Sequence, residues 1–226
     1  MFDWLTAHGA LAPFYDGVLH GAGVTVFASA VAFALGLGLA LALLALRVGG
    51  GLLAGACVTL YVSAMRGTPM LIQLLIAYYV LPALLGVTIT PMTAGILALA
   101  LNTAAYISEI LRGALGTIPR GQAAAARALG MRSWHVWRYV LLPQVFHRSL
   151  PPLTNEFTVL LKASSLLSII AVTDLAMVAH DATLQSNLPL QVFSAAAAVY
   201  FVILLCVSSV SRAFERRIAK VLPHVH

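Results

Sequence analysis

RGTPMLIQL, residues 66–74, lies inside an otherwise apolar run: LLAGACVTLYVSAM precedes it and LIAYYVLPALL follows it. A permanent charge, a helix breaker and an amide occupy positions where lipid-soluble side chains belong. Pro69 has no amide hydrogen and disfavours helix at Thr68, and Gly67 loosens the same turn. The backbone near 65–69 is therefore expected to carry polar groups that its own helix does not satisfy. Hydrocarbon does not tolerate such groups. Irregular backbone at membrane depth is found buried in protein or lining a cavity, and broken helices are where transporters commonly bind solutes.

Composition supports a membrane setting for that run. Of the 226 residues 61% are hydrophobic and 9% charged, with a mean hydropathy of +0.96, whereas a soluble domain carries roughly 25% charged residues. At about 20 apolar residues per span, the chain holds four to six spans and no soluble catalytic domain. The spacing predicts an all-α integral membrane protein with five spans, at about 20–46, 53–81, 92–115, 149–172 and 189–211. The segment between the third and fourth, about 116–148, is too polar to span and reads as a loop, the whole forming a single transmembrane domain.

Charge sets an orientation. Eleven of the 13 Lys and Arg fall after the first span, in the arginine-rich region 112–148, or in the tail. Five spans put all three on one face, which the positive-inside rule makes cytoplasmic. The N-terminus is then outside and the C-terminus inside, with Asp3, Asp16, Asp174 and Asp181 on the outer face. The N-terminal stretch lacks a basic cluster, so the first apolar run is expected to stay in the mature protein. The net charge of +6 is read as orientation and not as a nucleic-acid footprint.

Arg66, Glu109, Glu156 and Lys162 remain, at or within spans, where charge is costly and faces a partner or a wet path. Asn102, Tyr106 and Glu109 share one helical face, as do Asn155, Thr158 and Lys162, while Thr59, Ser63, Arg66 and Gln73 follow one another through the second span. Three polar stripes imply a shared interior. Two plainer readings stand beside it: the glutamates reach headgroups by snorkelling, or the four charges form structural pairs. Cys57 and Cys206 are isolated in apolar runs and read as packing residues. The seven histidines show no HExxH pattern and no metal-ligand spacing.

In the polar loop Pro119 can open a helix, QAAAARAL favours helix, and Gly130 suits its C-terminal end. Ser133 can cap a second helix, WHVWRYVLL, that stops at Pro143. A DNA-binding helix–turn–helix would read similarly, but both flanks run straight into spans and leave no supporting bundle. A docking element for a cytoplasmic partner fits better.

These residues resemble the membrane permease subunits of binding-protein-dependent ABC importers, in the polar amino acid uptake group of histidine, glutamine and arginine permeases. RGTPMLIQLLIAYYVLP is similar to that group's second span, AAYISEILRGALGTIPRGQAAAARALGMRSWHVWRYVLLPQ to its third span and cytoplasmic EAA loop, and LPPLTNEFTVLLKASSLLSII to its fourth. The resemblance runs over about 20–215.

It implies the five-helix type I importer fold in the bacterial inner membrane, a second permease copy, identical or paralogous, and an extracytoplasmic amino-acid-binding protein. It also implies a cytoplasmic ABC ATPase dimer that holds the ATP and Mg, since this chain contains no GxxxxGKS or GxxxxGKT phosphate loop. It carries no cofactor and is no enzyme itself. The loop helix with Gln122, Ala125, Ala126, Arg127 and Gly130 would dock in a groove of the ATPase. Ala124 stands where the family pattern has a glutamate, and Asp174 where glutamate is more usual. The expected cargo is an amino acid zwitterion near the break of span two. Arg66 would hold its carboxylate, Glu109 or Glu156 its ammonium, and Thr68 and Asn155 its orientation, with Gln73, Tyr106 and Lys162 completing the polar lining. A passive channel or a structural membrane subunit is the alternative.

Overall fold

The computed structural model describes residues 11–221, with side chains to 213. The described residues form helices and connecting turns: α1 (Ala12–Gly49), α2 (Gly51–Gly67), α3 (Met70–Leu85), α4 (Pro91–Gly116), α5 (Arg120–Ala128), α6 (Ser133–Ile170), α7 (Leu175–Ser186) and α8 (Pro189–Val221). Four of them, α1, α4, α6 and α8, are long and apolar enough to cross a membrane, and the bent pair α2/α3 makes a fifth span. Their outward faces carry Leu19, Leu52, Leu53 and Leu84, the first three over 80% exposed, which suits hydrocarbon rather than water.

Helix α4 is the central element, buried along most of its length. Helix α1 lies against it through a row of small residues at fourfold spacing, Ala28, Ala32, Gly36 and Ala40, all buried. A Cβ on Gly36 would sit 3.1 Å from the Ala100 carbonyl and 3.3 Å from Thr103 Cγ2. Lipid tails are as apolar as leucine, so such helices associate by close van der Waals packing, and small residues permit the approach. Ala28 and Ala32 join Ala98, Leu99 and Leu160 in one cluster, while Ala40 joins Ile107, Leu111 and Val145 in the next.

The second span is broken. Helix α2 ends at Gly67, Thr68 and Pro69 are extended, and α3 leaves at 106°. Helix α6 departs from the sequence reading in the opposite sense. The helix expected to stop at Pro143 continues through it to Ile170, so much of the expected loop is the start of a long helix. Proline clashes with the carbonyl four residues earlier and offers it no hydrogen. For Pro143 that carbonyl belongs to Tyr139, which lies in a wider π turn, Val136–Leu141; Pro82 is likewise preceded by a π turn, Ile76–Val80. The wider turn accommodates the ring without ending the helix. Ser133 is the first helical residue rather than the cap, a position held by Arg132 without a side-chain bond.

Two smaller expectations also change. Cys57 and Cys206 are exposed rather than packed. Asp174 is fully buried: its Oδ1 accepts the Met177 amide at 2.8 Å and caps α7. Burial pushes its carboxyl up to about 6, against the opposing pull of the Met177 amide. The adjacent Leu175 amide donates to Thr25 Oγ1 at 3.1 Å, which ties α7 to α1.

The close approach at Gly36 is directly testable. Gly36→Leu should lower unfolding stability in lipid nanodiscs by about 1–3 kcal/mol through overpacking. Gly38→Leu, whose added Cβ meets nothing within 4 Å, should leave the melting curve unchanged.

Candidate functional site

The break at Thr68–Pro69 removes specific hydrogen bonds, and neighbouring amides replace them. In an unbroken helix the Met65 carbonyl would accept from residue 69, which is proline and has no N–H. Gln73 Nε2 takes that place, donating to Met65 O at 2.8 Å and also to the carbonyl and hydroxyl oxygens of Thr68, at 3.1 and 2.8 Å. Asn102 Nδ2 on α4 donates to Gln73 Oε1 at 2.9 Å and orients the amide. The Thr68 hydroxyl donates in turn to Ala64 O at 2.8 Å. Tyr61 completes the tie between α2 and α4 by donating to the Leu101 carbonyl at 2.6 Å.

One turn further along α4, Tyr106 and Glu109 meet the arginines. Arg66 stacks over the Tyr106 ring with its guanidinium carbon 5.3 Å from the centroid, a cation–π geometry. Glu109 receives Arg47 Nη1 at 2.6 Å and a two-pronged approach from Arg112, with Nε at 3.0 Å from both oxygens and Nη2 at 2.7 Å. Arg66 stands at 3.9 Å from Oε2. Arg47 also donates to Thr59 Oγ1 at 2.9 Å. Three guanidinium groups from three helices thus converge on one carboxylate, and Arg66 is the least engaged of them.

The stripe on α4 therefore faces the broken span, as its spacing implied. The stripe on α6 divides. Thr158 bonds its own helix at the Asn155 carbonyl, Asn155 is exposed, and Lys162 lies in a groove lined by Tyr200, Phe201 and Leu204 of α8. Glu156, on the same helix, is buried, 8% exposed. Among the described residues no cation stands within ion-pair distance of it. Arg47 and Arg112 were counted only as topology charges in the sequence. The Glu109/Arg112 spacing of three on one helix was the available signal.

Helix α5 stands apart from this cluster. Gln122 accepts a hydrogen bond from Gln144 of α6, Ala126 is buried, and Ala124, Ala125 and Arg127 are exposed. The helix ends in a Schellman closure: Met131 N donates to Ala126 O at 3.1 Å and Gly130 N to Arg127 O at 2.9 Å. Gly130 sits at φ +80°, where a side chain is strained. Leu129 beside it is 85% exposed, an apolar tip on a polar helix.

A five-span helical bundle with one broken span, charged groups at the break and a short amphipathic helix projecting between spans defines a membrane translocation protein. The chain belongs to the binding-protein-dependent transport system inner membrane components, whose family profile matches residues 33–220. It is 34% identical over 217 residues to the glutamine transport system permease protein GlnP of Escherichia coli K12, covering 96% of this chain and 97% of that one. The L-cystine transport system permease protein TcyB of Bacillus subtilis is 39% identical over 161 residues, 71% of this chain and 68% of that one. A crystal structure of an amino acid ABC transporter with histidines superposes with a TM-score of 0.83 at 33% identity, covering 96% of this chain and 99% of the other. An inward-facing MetNI methionine ABC transporter shares the fold at a TM-score of 0.73 and 20% identity, over 92% of this chain and 97% of that one. The architecture is that of type I ABC importer permeases.

The clamp at the break has a measurable consequence. Gln73→Leu leaves the Met65 carbonyl only the long 3.4 Å contact from Asn102 Nδ2 and should destabilise the protein in nanodiscs by about 1–3 kcal/mol. Asn102→Leu leaves Gln73 on Met65 and should cost less in the same thermal unfolding measurement.

Proposed function

We propose that the chain is the translocation subunit of an ATP-driven importer that takes a polar amino acid from an extracytoplasmic binding protein and releases it into the cytoplasm by alternating access. The observation that carries this reading is the broken span itself: beside it stands Arg66, which reaches Glu109 only at 3.9 Å, while Glu156 of α6 is buried with no cation within ion-pair distance among the described residues. Arg66 holds the cargo carboxylate and Glu156 its ammonium, while Thr68 and Asn155 orient it. Gln73 and Tyr106 support the site by holding the break and Arg66. Glu109 is occupied by arginines, and Lys162 belongs to the α8 groove rather than to the cargo site. The names of the glutamine, arginine and cystine permeases among the similar proteins support an amino acid cargo.

Two copies of the chain, or this chain and a paralogue, enclose the pathway. The distribution of the basic segments supports an N-terminus outside and a C-terminus inside. The projecting helix α5 meets an ABC ATPase dimer, which binds ATP and Mg; Gln122, Ala125, Ala126, Arg127 and Gly130 form the coupling face. Closure of the ATPases then moves α5, and through the Gln122–Gln144 bond it moves α6. A passive channel needs no such projecting element.

ATP-dependent uptake in proteoliposomes containing the permease, its ATPase and its binding protein tests the scheme. Glu156→Gln and Arg66→Gln should each slow uptake about tenfold or more, the loss of one charge-assisted contact. Uptake unchanged in both variants would remove the cargo site from this pair. Gly130→Val forces a β-branched residue into left-handed backbone at a cost of about 1–2 kcal/mol. It should reduce co-purification of the ATPase, and equal recovery would detach α5 from coupling.

A further inference from the structure

The charges around the break are unequal, and their arrangement bears on which amino acids the site accepts. Four ionised groups belong to the cluster at α1, α2 and α4: Arg47, Arg66, Arg112 and Glu109. Both Glu109 oxygens are in use. Oε1 receives Arg47 and Arg112, and Oε2 receives Arg112 with Arg66 approaching. Glu109 has no acceptor position left in a good direction for an ammonium or a second guanidinium. Glu156, buried on α6, is by contrast a carboxylate with no cation within ion-pair distance among the described residues.

A zwitterionic amino acid needs one anion for its α-ammonium and one cation for its α-carboxylate, and Glu156 and Arg66 supply one of each. A cargo with a cationic side chain needs a second anion. It would instead meet the surplus positive charge of Arg47 and Arg112, whose side chains are 25% and 52% exposed and so electrostatically present at the surface of the cluster. Like charges at partly desolvated separations repel strongly enough to govern selection. A neutral amide or an acidic side chain has the opposite fit, since amide and carboxylate oxygens accept from guanidinium donors.

Resting on the assignment of Arg66 and Glu156 to the two poles of the cargo, we infer that this permease selects amino acids whose side chains are neutral and polar or acidic, and disfavours cationic ones. Discrimination by rejecting the wrong charge is a common route to specificity. Glu109 is the specificity-determining residue in this scheme. Its two arginine partners keep it from serving as the second anion.

Calorimetric titration of the permease–ATPase complex in nanodiscs, without the binding protein, measures the preference directly. L-glutamine and L-glutamate should bind about tenfold or more tightly than L-arginine and L-lysine. Raising the salt concentration should narrow the gap, because screening weakens charge repulsion. Arg112→Gln releases an oxygen of Glu109 and should narrow the glutamine-to-arginine ratio at least about threefold. Arginine or lysine binding as tightly as glutamine to the unaltered complex would overturn this inference while leaving the Arg66/Glu156 site standing. If none of the four bound, the site assignment and the selectivity would fall together. The wild-type ranking decides the matter even if the variant does not assemble.

Discussion

A single missing hydrogen organises the centre of this protein. Pro69 cannot donate to the Met65 carbonyl, and in a bilayer no water is available to replace it. The Gln73 side chain does so, and Asn102 holds Gln73 in place. The satisfied break lets the chain turn by 106° without leaving backbone polarity against lipid. That turn keeps Arg66 beside Tyr106 and the arginine–glutamate cluster. Were the break unsupported, an ordinary kink would be the lower-energy outcome and the charges would lose their common focus.

The central position of α4 follows from the same economy of polar groups. One face of this helix carries Asn102, Tyr106 and Glu109, each engaged by the broken span or by α1. Its opposite contacts are small and apolar, which lets α1 approach closely at Gly36. The polar groups define which helices meet and in what register, because each unpaired group in hydrocarbon is expensive. Close packing then holds that arrangement. Arg148, reaching from α6 to both oxygens of Thr117 at 3.0 Å, closes the far end of α4 in the same manner.

Proline acts in more than one way in this chain. At Pro69 it breaks the helix; Pro82 and Pro143 are preceded by a π turn and the helix continues, and Pro151 and Pro152 lie inside α6. Local propensity alone does not separate the two cases, which is why WHVWRYVLL reads as a short loop helix yet forms the beginning of α6. Residues preceding Pro69 include Gly67 and a threonine whose hydroxyl caps Ala64, so the chain there has an alternative to helix. Tyr78 and Tyr139, by contrast, lie in runs with no glycine to release the turn. The α5 helix was legible from Pro119, the alanines and Gly130 because its two ends use local backbone chemistry.

Hydropathy, charge bias and helical spacing were enough to read an all-helical membrane bundle, the interrupted second span and the shared face of Asn102, Tyr106 and Glu109. Those features depend on interactions within a few residues or on transfer of whole segments into lipid, and both are written locally. The partners of each charge were decided only by tertiary structure. Arg47 lies 62 residues from Glu109 and meets it at 2.6 Å, while Lys162, on the expected stripe, lines a groove with Tyr200, Phe201 and Leu204 of α8. Ion pairing acts across space and is indifferent to chain separation. The helix crossings therefore determine which carboxylate is consumed by arginines and which is left without a cation.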